Sequence, residues 1–204
     1  MDSVSRIVTC LRAVITDLGL TGKEDQSLRD IIGLGLREAI FDLYPGADED
    51  FIKSFIDRYR YHFLSAKYQQ SVMFPGAREI LTHLHNRGYL LAVATGKGRV
   101  GLARSLDETA CKELFHITRC ADEAMSKPHP QMLLEIMEVL DVEPSQTLMI
   151  GDTVYDIQMA QQARTGAVAV TYGVHDRERL LPLKPLACLD SISELLPWLD
   201  KRHH

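Results

Sequence analysis

Asp152 and Asp156 stand four residues apart in the stretch LMIGDTVYD, residues 148–156. The apolar residues before Gly151 are typical of a buried strand that turns into a helix. At the carboxyl end of a parallel strand, two carboxylates at this spacing can hold a metal ion or another cation. The alternative is structural, with Asp152 capping the helix and Asp156 solvated in its first turn. This stretch alone supports the two interpretations about equally.

A hydroxyl and a lysine follow another strand pattern, at Thr95-Gly96-Lys97-Gly98. Such a group between a strand and a helix favours the binding of an anion. The segment GKGRVG, residues 96–101, also matches the G-x-G-x-x-G pattern of dinucleotide-binding proteins. That pattern needs an acidic residue about 20 positions on, and Asp122 lies somewhat late. The dinucleotide alternative therefore has weaker support, and it predicts that NAD(P) raises the melting temperature.

A second lysine stands in the stretch ADEAMSKPHP, residues 121–130, after a third strand pattern. Pro128 favours an extended conformation for Lys127, and Pro130 suits the first turn of a helix. Lys127 is therefore predicted at a strand-to-helix turn, on the edge of the sheet where ligands bind in such folds. The structural alternative is a solvated loop lysine.

The elements that must position these residues differ between two parts of the chain. Residues 1–74 show helical spacing and Gly/Pro punctuation, which predict an all-helical lobe. Its expected helices are 4–18, capped by Asp2 or Ser3, then 28–32, 36–43 and 48–63. Residues 75–204 alternate strand and helix patterns, which predict an α/β layer with a parallel sheet. Its expected strands are 89–94, 116–120, 147–150 and 167–171, and its expected helices are 76–86, 99–106, 130–140, 156–163 and 192–199.

The composition limits the partners of this 204-residue chain. Its net charge of −5 argues against nucleic acid and anionic membranes as partners. No apolar run reaches the length of a transmembrane helix. The four cysteines form no C-x-x-C pair, which favours reduced thiols in the cytoplasm. We expect a cytoplasmic monomer or homodimer.

Three successive predicted strand ends thus carry a hydroxyl, a lysine and an acidic pair. Phosphoryl transfer through an aspartyl intermediate needs this set, because hydroxyl and N–H groups hold the phosphoryl oxygens, a lysine offsets their charge and an acid holds Mg²⁺. Here the sequence resembles the haloacid dehalogenase superfamily of phosphatases. Thr95 in Ala-Thr-Gly-Lys resembles its second motif, Lys127 in Ser-Lys-Pro its third, and Gly-Asp-x-x-x-Asp at 151–156 its fourth.

The resemblance implies a Rossmann-like α/β core at 75–204 with a helical cap at 1–74, most similar to the phosphoglycolate phosphatases. It implies catalytic roles for Lys127 and Asp156, Mg²⁺ binding by Asp152, and substrate binding by Thr95, Gly96 and Lys97. Arg37, in the third predicted helix, is a further candidate for binding the anionic groups of the substrate. Its structural alternative is an ordinary surface arginine.

The family's first motif is an apolar strand ending in D-x-D-G-T, whose first aspartate is the nucleophile. This motif has no match in the chain. In relatives this motif runs into an Asp-Ser pair that resembles Asp2-Ser3, so Asp2 is assigned to the entry of the cap and not to catalysis. The chain is expected to start just after the catalytic loop, short by about ten residues. Without that central strand, the strands ending at Thr95 and Asp152 must pair directly or leave a gap with unpaired backbone.

The predicted function is Mg²⁺-dependent hydrolysis of a small phosphorylated metabolite, similar to phosphoglycolate, through an aspartyl phosphate. For this chain the activity depends on the nucleophile of the unmatched motif. One alternative is a non-catalytic relative that binds a phosphate-containing ligand or a partner. Another is a phosphomutase or pyrophosphatase, which differs from a phosphatase in the cap and the substrate.

Overall fold

The computed structural model describes residues 1–65 and 72–202, and the first of these ranges is helical. Its helices are α1 (Val4–Asp17), α2 (Asp25–Asp30), α3 (Leu36–Leu43) and α4 (Glu49–Leu64). Their apolar faces meet in one cluster around Leu11, Ile40 and Phe55, each exposed by 1% or less. The helical cap therefore has a hydrophobic core of its own.

The second cap helix differs from its prediction, because it occupies Asp25–Asp30 and not 28–32. The carboxylate of Asp25 in the first turn suits the positive end of the helix. After Asp30 the chain turns towards Gly33, whose φ of 112° is a conformation that glycine adopts readily and other residues rarely do. This turn delivers residues 31–35 to the α/β core.

Strands and helices alternate in the rest of the described chain, as predicted. The strands are β1 (Ala92–Thr95), β2 (Ile117–Cys120), β3 (Leu148–Gly151), β4 (Gly166–Val170) and β5 (Ala187–Leu189). The helices are α5 (Ala77–Asn86), α6 (Arg99–Thr109), α7 (Gln131–Leu140), α8 (Val154–Gln162), α9 (Arg177–Leu180) and α10 (Leu195–Asp200). The prediction missed β5 and α9, which are too short to show a hydrophobic period.

All strand pairs are parallel, but within the described residues they form two sheets and not one. β1 pairs with β2, with Ala92 opposite Ile117, and the second sheet has the order β3–β4–β5, with Leu148 opposite Gly166. β1 and β3 do not pair, so the predicted alternative of a gap is the correct one. All four residues of β1 are only half-buried, whereas β4 is buried over Ala167–Val170. A central strand of a parallel sheet is normally buried on both faces.

Helices cover both faces of the three-stranded sheet. On one face α7 and α8 contribute Met132, Ile157 and Met159, which are all fully buried. On the other face α5 and α10 contribute Leu84 and Leu195. This double cover is typical of α/β domains with parallel sheets. Over residues 1–65 and 72–202, no helix has both the length and the apolar character needed to span a bilayer.

A buried arginine ties the cap to the core. Arg6 on α1 is only 6% exposed and donates through Nη2 to the Phe63 carbonyl at 2.6 Å. Its Nη1 lies 3.3 Å from the carboxylate of Glu108 on α6, and its guanidinium lies 4.3 Å from the centroid of the Phe63 ring. Glu108 also pairs with Arg104 at 2.7 Å. This polar cluster therefore joins α1, α4 and α6.

We expect Arg6→Ala to lower the free energy of unfolding by about 2–4 kcal/mol, because it removes one partner of a buried ion pair and a donor to the Phe63 carbonyl. Arg12→Ala on the same helix is the matched control, since Arg12 pairs with Asp25 at the surface. That exposed pair is worth less than about 1 kcal/mol. Urea denaturation followed by circular dichroism measures both changes. Equal losses in the two variants would contradict the assigned role of Arg6.

Candidate active site

One cavity of about 820 Å³ lies between the cap and the carboxyl ends of β1 and β3. Val93 and Ala94 of β1 line one side, and Met149 and Ile150 of β3 line the other. All seven residues singled out in the sequence border this cavity: Arg37, Thr95, Gly96, Lys97, Lys127, Asp152 and Asp156. The fold thus brings them together from the cap and three strand ends, and their individual roles stay predictions.

Lys127 and Asp156 form a buried ion pair, with 2.6 Å between Lys127 Nζ and Asp156 Oδ1. Lys127 follows β2 and is 6% exposed, while Asp156 lies in the first turn of α8 and is 3% exposed. The other oxygen of Asp156 accepts hydrogen bonds from the N–H (3.0 Å) and the hydroxyl (2.7 Å) of Thr153. Neither residue is solvated, so both structural alternatives are wrong here. Asp156 holds the lysine ammonium at the floor of the cavity.

The negative charge of the Asp152 carboxylate is only partly compensated by neighbouring protein groups. Its Oδ2 accepts a hydrogen bond from the Val174 N–H at 3.0 Å, and its Oδ1 makes no hydrogen bond within residues 1–65 and 72–202. Burial raises the pKa of Asp152, and the neighbouring Asp156 raises it further. Two acidic groups confined together disfavour ionisation, and a cation relieves this cost. Asp152 is therefore the described residue best suited to hold a divalent cation, through its free carboxylate oxygen.

The end of β1 approaches the cap closely. Thr95 Oγ1 accepts a hydrogen bond from the Lys97 N–H at 3.2 Å, which shapes the loop after the strand. A Cβ at Gly96 would overlap the Leu34 carbonyl, so only glycine allows the cap to sit this near. In the same cap loop the Gly35 N–H donates to Ser126 Oγ at 2.6 Å. Residues 33–35 thus cover both the Thr95 and the Lys127 loops.

Lys97 is a cation without an anionic partner. Its Nζ lies 3.2 Å from Ser3 Oγ and 5.2 Å from the centroid of the Phe63 ring, and it makes no ion pair among the described residues. Burial lowers the pKa of Lys97 to about 8, and nearby Arg6 adds to this effect. An unpaired ammonium beside Thr95 favours an anionic group in the cavity.

Arg37 borders the cavity with its guanidinium already engaged. Its Nη1 donates to Glu49 Oε2 at 2.8 Å, and its Nη2 pairs with the other oxygen. This bidentate contact lies at the surface of the cap. Contact with substrate would require the guanidinium to leave Glu49, so its substrate-binding role stays a prediction.

Three further acidic residues have structural or peripheral positions. Asp2 is exposed, and its N–H donates to the Val72 carbonyl at 2.8 Å at the entry of the cap. Asp122, the residue that the dinucleotide alternative requires, accepts the Arg99 N–H at the start of α6. Glu123 pairs with the Arg99 guanidinium. Cys120, Asp122 and Glu123 lie near enough to share a metal ion, but both carboxylates are committed to Arg99.

Sequence reasoning missed the loop after β4, which contacts Asp152. A Cβ at Gly173 would overlap the Asp152 carboxylate, the Val174 N–H donates to it, and the His175 N–H donates to the Asp152 carbonyl at 3.0 Å. Burial lowers the pKa of His175, and Arg179 lowers it further. A usable signal was present, because Gly173 and His175 follow a predicted strand on the same edge of the sheet. Ser126, next to Lys127, was also missed.

The pKa of Lys97 yields a pH-dependent prediction. The ammonium is present below about pH 8 and is lost as the pH rises through that value. Sulfate, whose charge is constant from pH 7 to 9, is therefore expected to bind up to roughly tenfold more weakly at pH 9 than at pH 7. Calorimetric titration at several pH values measures this change.

Lys97→Gln is expected to bind sulfate weakly and with little pH dependence. Lys112→Gln is the matched control, because Lys112 is exposed and lies outside the lining of the cavity. It should retain the pH dependence of the original protein. A Lys97→Gln protein with an unchanged pH profile would refute the assignment.

The family model for haloacid dehalogenase-like hydrolases matches residues 1–170. The probable phosphatase IndB of Dickeya dadantii is 32% identical over 201 residues, which cover 96% of this chain and 87% of that protein. Pyrophosphatase PpaX of Bacillus cereus (strain B4264) is 30% identical, over 79% of this chain and 76% of its own length. Phosphoglycolate phosphatase of Pseudomonas syringae pv. tomato is 28% identical, over 97% of this chain and 75% of its own length.

The fold has a counterpart among solved structures. A hydrolase from Pseudomonas syringae superposes with a TM-score of 0.88, covering 98% of this chain and 92% of that one at 19% identity, which is a likeness of fold alone. The sequence match spans the cap, strands β1–β4 and the loops that carry Thr95, Lys127 and Asp152. The chain therefore belongs to the haloacid dehalogenase-like hydrolase family.

Proposed function

We propose that this protein is a Mg²⁺-dependent phosphatase that acts on a small phosphorylated metabolite through an aspartyl phosphate. The observation that carries the proposal is the convergence of Thr95, Lys127 and Asp152 on one cavity at the carboxyl ends of parallel strands. The relatives named phosphatase support this chemistry.

Each residue has a distinct task in this proposal. The Thr95 hydroxyl and the Gly96 N–H orient the phosphoryl oxygens. Lys127 offsets negative charge that gathers on those oxygens and on the attacking carboxylate, and Asp156 holds its ammonium at 2.6 Å in the required position. Because both charges are buried, the lysine has no competing contact with bulk water.

The residues present fit a divalent cation at Asp152. The raised pKa of its carboxyl and the unpaired Oδ1 indicate that this site has negative charge to be compensated. Mg²⁺ is commonly held by one or two carboxylates together with water and substrate oxygens. When bound, it supplies charge neutralisation at the phosphoryl group.

The attacking carboxylate is proposed to come from a strand that lies between β1 and β3. Both strands border the cavity without pairing with each other, so a parallel strand there satisfies backbone groups on both edges. Its carboxyl end then reaches the same edge as Thr95 and Asp152. The carboxylate forms a bond to phosphorus as the ester P–O bond breaks, and the leaving oxygen takes a proton from the second aspartate of the D-x-D-G-T motif. Water gives a proton to that same aspartate as it attacks the acyl phosphate, which releases inorganic phosphate and regenerates the carboxylate.

A substrate with a second anionic group suits this cavity best, because the Lys97 ammonium lies beside Thr95 and has no ion-pair partner in the described part of the chain. Phosphoglycolate has such a group, and so does pyrophosphate. The PpaX relative favours pyrophosphate hydrolysis as the second candidate. A panel of phosphoglycolate, pyrophosphate and sugar phosphates separates these candidates and also reveals mutase activity.

We propose the cellular compartment and the partners of the protein from its composition and its cysteines. The four cysteines, Cys10, Cys111, Cys120 and Cys188, are all unpaired, which suits a reducing compartment such as the cytoplasm. An acidic net charge of −5 suits small-molecule chemistry without nucleic acid or membrane partners. We propose a monomer or homodimer.

The main test compares the 204-residue chain with a version extended upstream of Met1 through the in-frame coding sequence. The extended version is expected to contain an apolar run ending in D-x-D-G-T and to hydrolyse p-nitrophenyl phosphate with Mg²⁺. In that version, Lys127→Met should lower kcat by about 10²–10³-fold, the scale of losing a group that stabilises transition-state charge. Lys112→Met should leave kcat unchanged. An extended protein as inactive as the short one would favour the non-catalytic alternative.

The cation site gives an independent prediction. Asp152→Asn should raise the melting temperature of the metal-free protein, because it removes a buried negative charge beside Asp156 while the amide oxygen still accepts the Val174 N–H. A gain of 1 kcal/mol corresponds to about 2–4 °C for a protein of this size. Added Mg²⁺ should raise the melting temperature of the original protein and not that of Asp152→Asn.

The matched control for the cation site is Asp57→Asn, which changes an exposed carboxylate on α4. Thermal scans with chelator and with excess Mg²⁺ measure all three proteins. The control should behave like the original protein in both conditions. Equal stabilisation of Asp152→Asn by Mg²⁺ would remove Asp152 from the proposed cation site.

A further inference from the structure

The loop after β4 contacts the Asp152 side chain and backbone directly. Gly173 lies so near that a Cβ there would overlap the carboxylate, and the Val174 N–H donates to Oδ2 at 3.0 Å. This leaves Oδ1 as the oxygen available to a ligand. Residues 173–175 therefore determine which part of the carboxylate faces the cavity.

His175 attaches this loop to the Asp152 loop at two points. Its backbone N–H donates to the Asp152 carbonyl at 3.0 Å, and its Nδ1 accepts the Val154 N–H at 3.0 Å. Val154 is the first residue of α8, so its N–H has no partner within the helix. The two hydrogen bonds hold the backbone on both sides of Thr153.

The side chain of His175 is held in place by burial. It is 2% exposed and lies beside the Tyr155 ring, with 5.9 Å between the ring centroids. Because Nδ1 accepts an N–H, the ring is in the tautomer that carries its proton on Nε2. Nε2 makes no hydrogen bond of good geometry among the described residues, although the Asp30 backbone interacts with the ring. An apolar side chain could not accept the Val154 N–H.

We propose that His175 is a positioning residue for Asp152, which fixes the backbone from Asp152 to Val154 so that Oδ1 faces the cavity. The inference rests on the proposed function, because it takes Asp152 as the ligand of a divalent cation. Groups that orient a metal-binding carboxylate typically affect metal affinity by about 10–100-fold. His175 touches neither substrate nor cation in this arrangement.

His175→Leu and His175→Asn separate hydrogen bonding from packing. The Asn side-chain oxygen lies near the position of Nδ1 and can accept the Val154 N–H, whereas Leu fills the space and accepts nothing. Hydrogen exchange at the Val154 amide, measured by NMR, reports the contact directly. In His175→Leu this amide should exchange about fivefold faster or more. The Val168 amide of buried β4 should be unchanged, which shows that the variant is folded.

Mn²⁺ titration followed by electron paramagnetic resonance measures the affinity of the cation site. The Kd for Mn²⁺ should rise about tenfold or more in His175→Leu and stay within about threefold in His175→Asn. A His175→Leu protein with unchanged Val154 exchange and unchanged Kd overturns the inference. So does a His175→Asn protein as impaired as the Leu variant, because packing alone would then explain the effect.

Asp152→Asn distinguishes failure of this inference from failure of the proposed function. The cation role of Asp152 fails if Mn²⁺ binds Asp152→Asn as tightly as the original protein, or if it binds neither protein. In both cases the proposed effect of His175 on Mn²⁺ affinity fails as well. Val154 exchange still decides whether His175 fixes the loop. If Asp152→Asn loses Mn²⁺ while His175→Leu retains it, the proposed function stands and the inference is overturned.

Discussion

The buried ion pair between Lys127 and Asp156 joins the two halves of the α/β core. Lys127 follows β2 in one sheet, and Asp156 begins α8 directly after β3 in the other, with 2.6 Å between Nζ and Oδ1. No strand ladder connects these sheets within the described residues. The pair therefore fixes, together with the apolar cluster around Met132 and Ile157, how the two carboxyl edges face each other. Removing one partner would leave a buried, uncompensated charge.

The cavity concentrates charges that are only partly compensated by the protein. Asp152 has a raised pKa because it is buried beside another carboxylate, and Lys97 has its pKa lowered to about 8 by burial and Arg6. Both pKa shifts mean that keeping these groups charged costs free energy in the protein without ligands. A cation at Asp152 and an anion at Lys97 relieve that cost. The arrangement thus supports the proposed binding of an anionic substrate together with a divalent metal.

The shape of the cavity is a joint product of the cap and the core. The cap packs its own apolar cluster and meets the core through a few polar contacts, among them Arg6 with Glu108 and the Tyr155 hydroxyl with the Asp30 carbonyl at 2.9 Å. Its loop at 33–35 lies over Gly96 and Ser126. The shape of the cavity therefore depends on how the two parts meet and not on one local sequence motif.

Much of the fold was predictable from local pattern. The apolar spacing of α1, the run before Gly151 and the strand-to-helix turns at Thr95 and Lys127 all predicted elements that the structure has. Short elements escaped prediction, because β5 has three residues and α9 four, too few to show a period. The second cap helix begins at Asp25 and not at residue 28 as predicted. Its start is favoured by the carboxylate of Asp25, which apolar spacing does not reveal.

The sequence by itself determined the chemical types at the site and their order along the chain: a hydroxyl, a lysine and two carboxylates after successive strands. Only the tertiary structure decided how these groups are compensated. It paired Lys127 with Asp156, engaged Arg37 with Glu49 and placed His175 against the Asp152 loop. It also left Lys97 without an ion-pair partner among residues 1–65 and 72–202. The reason is physical: charge compensation and burial depend on distances between residues that are far apart in the chain. Local sequence patterns do not specify those distances.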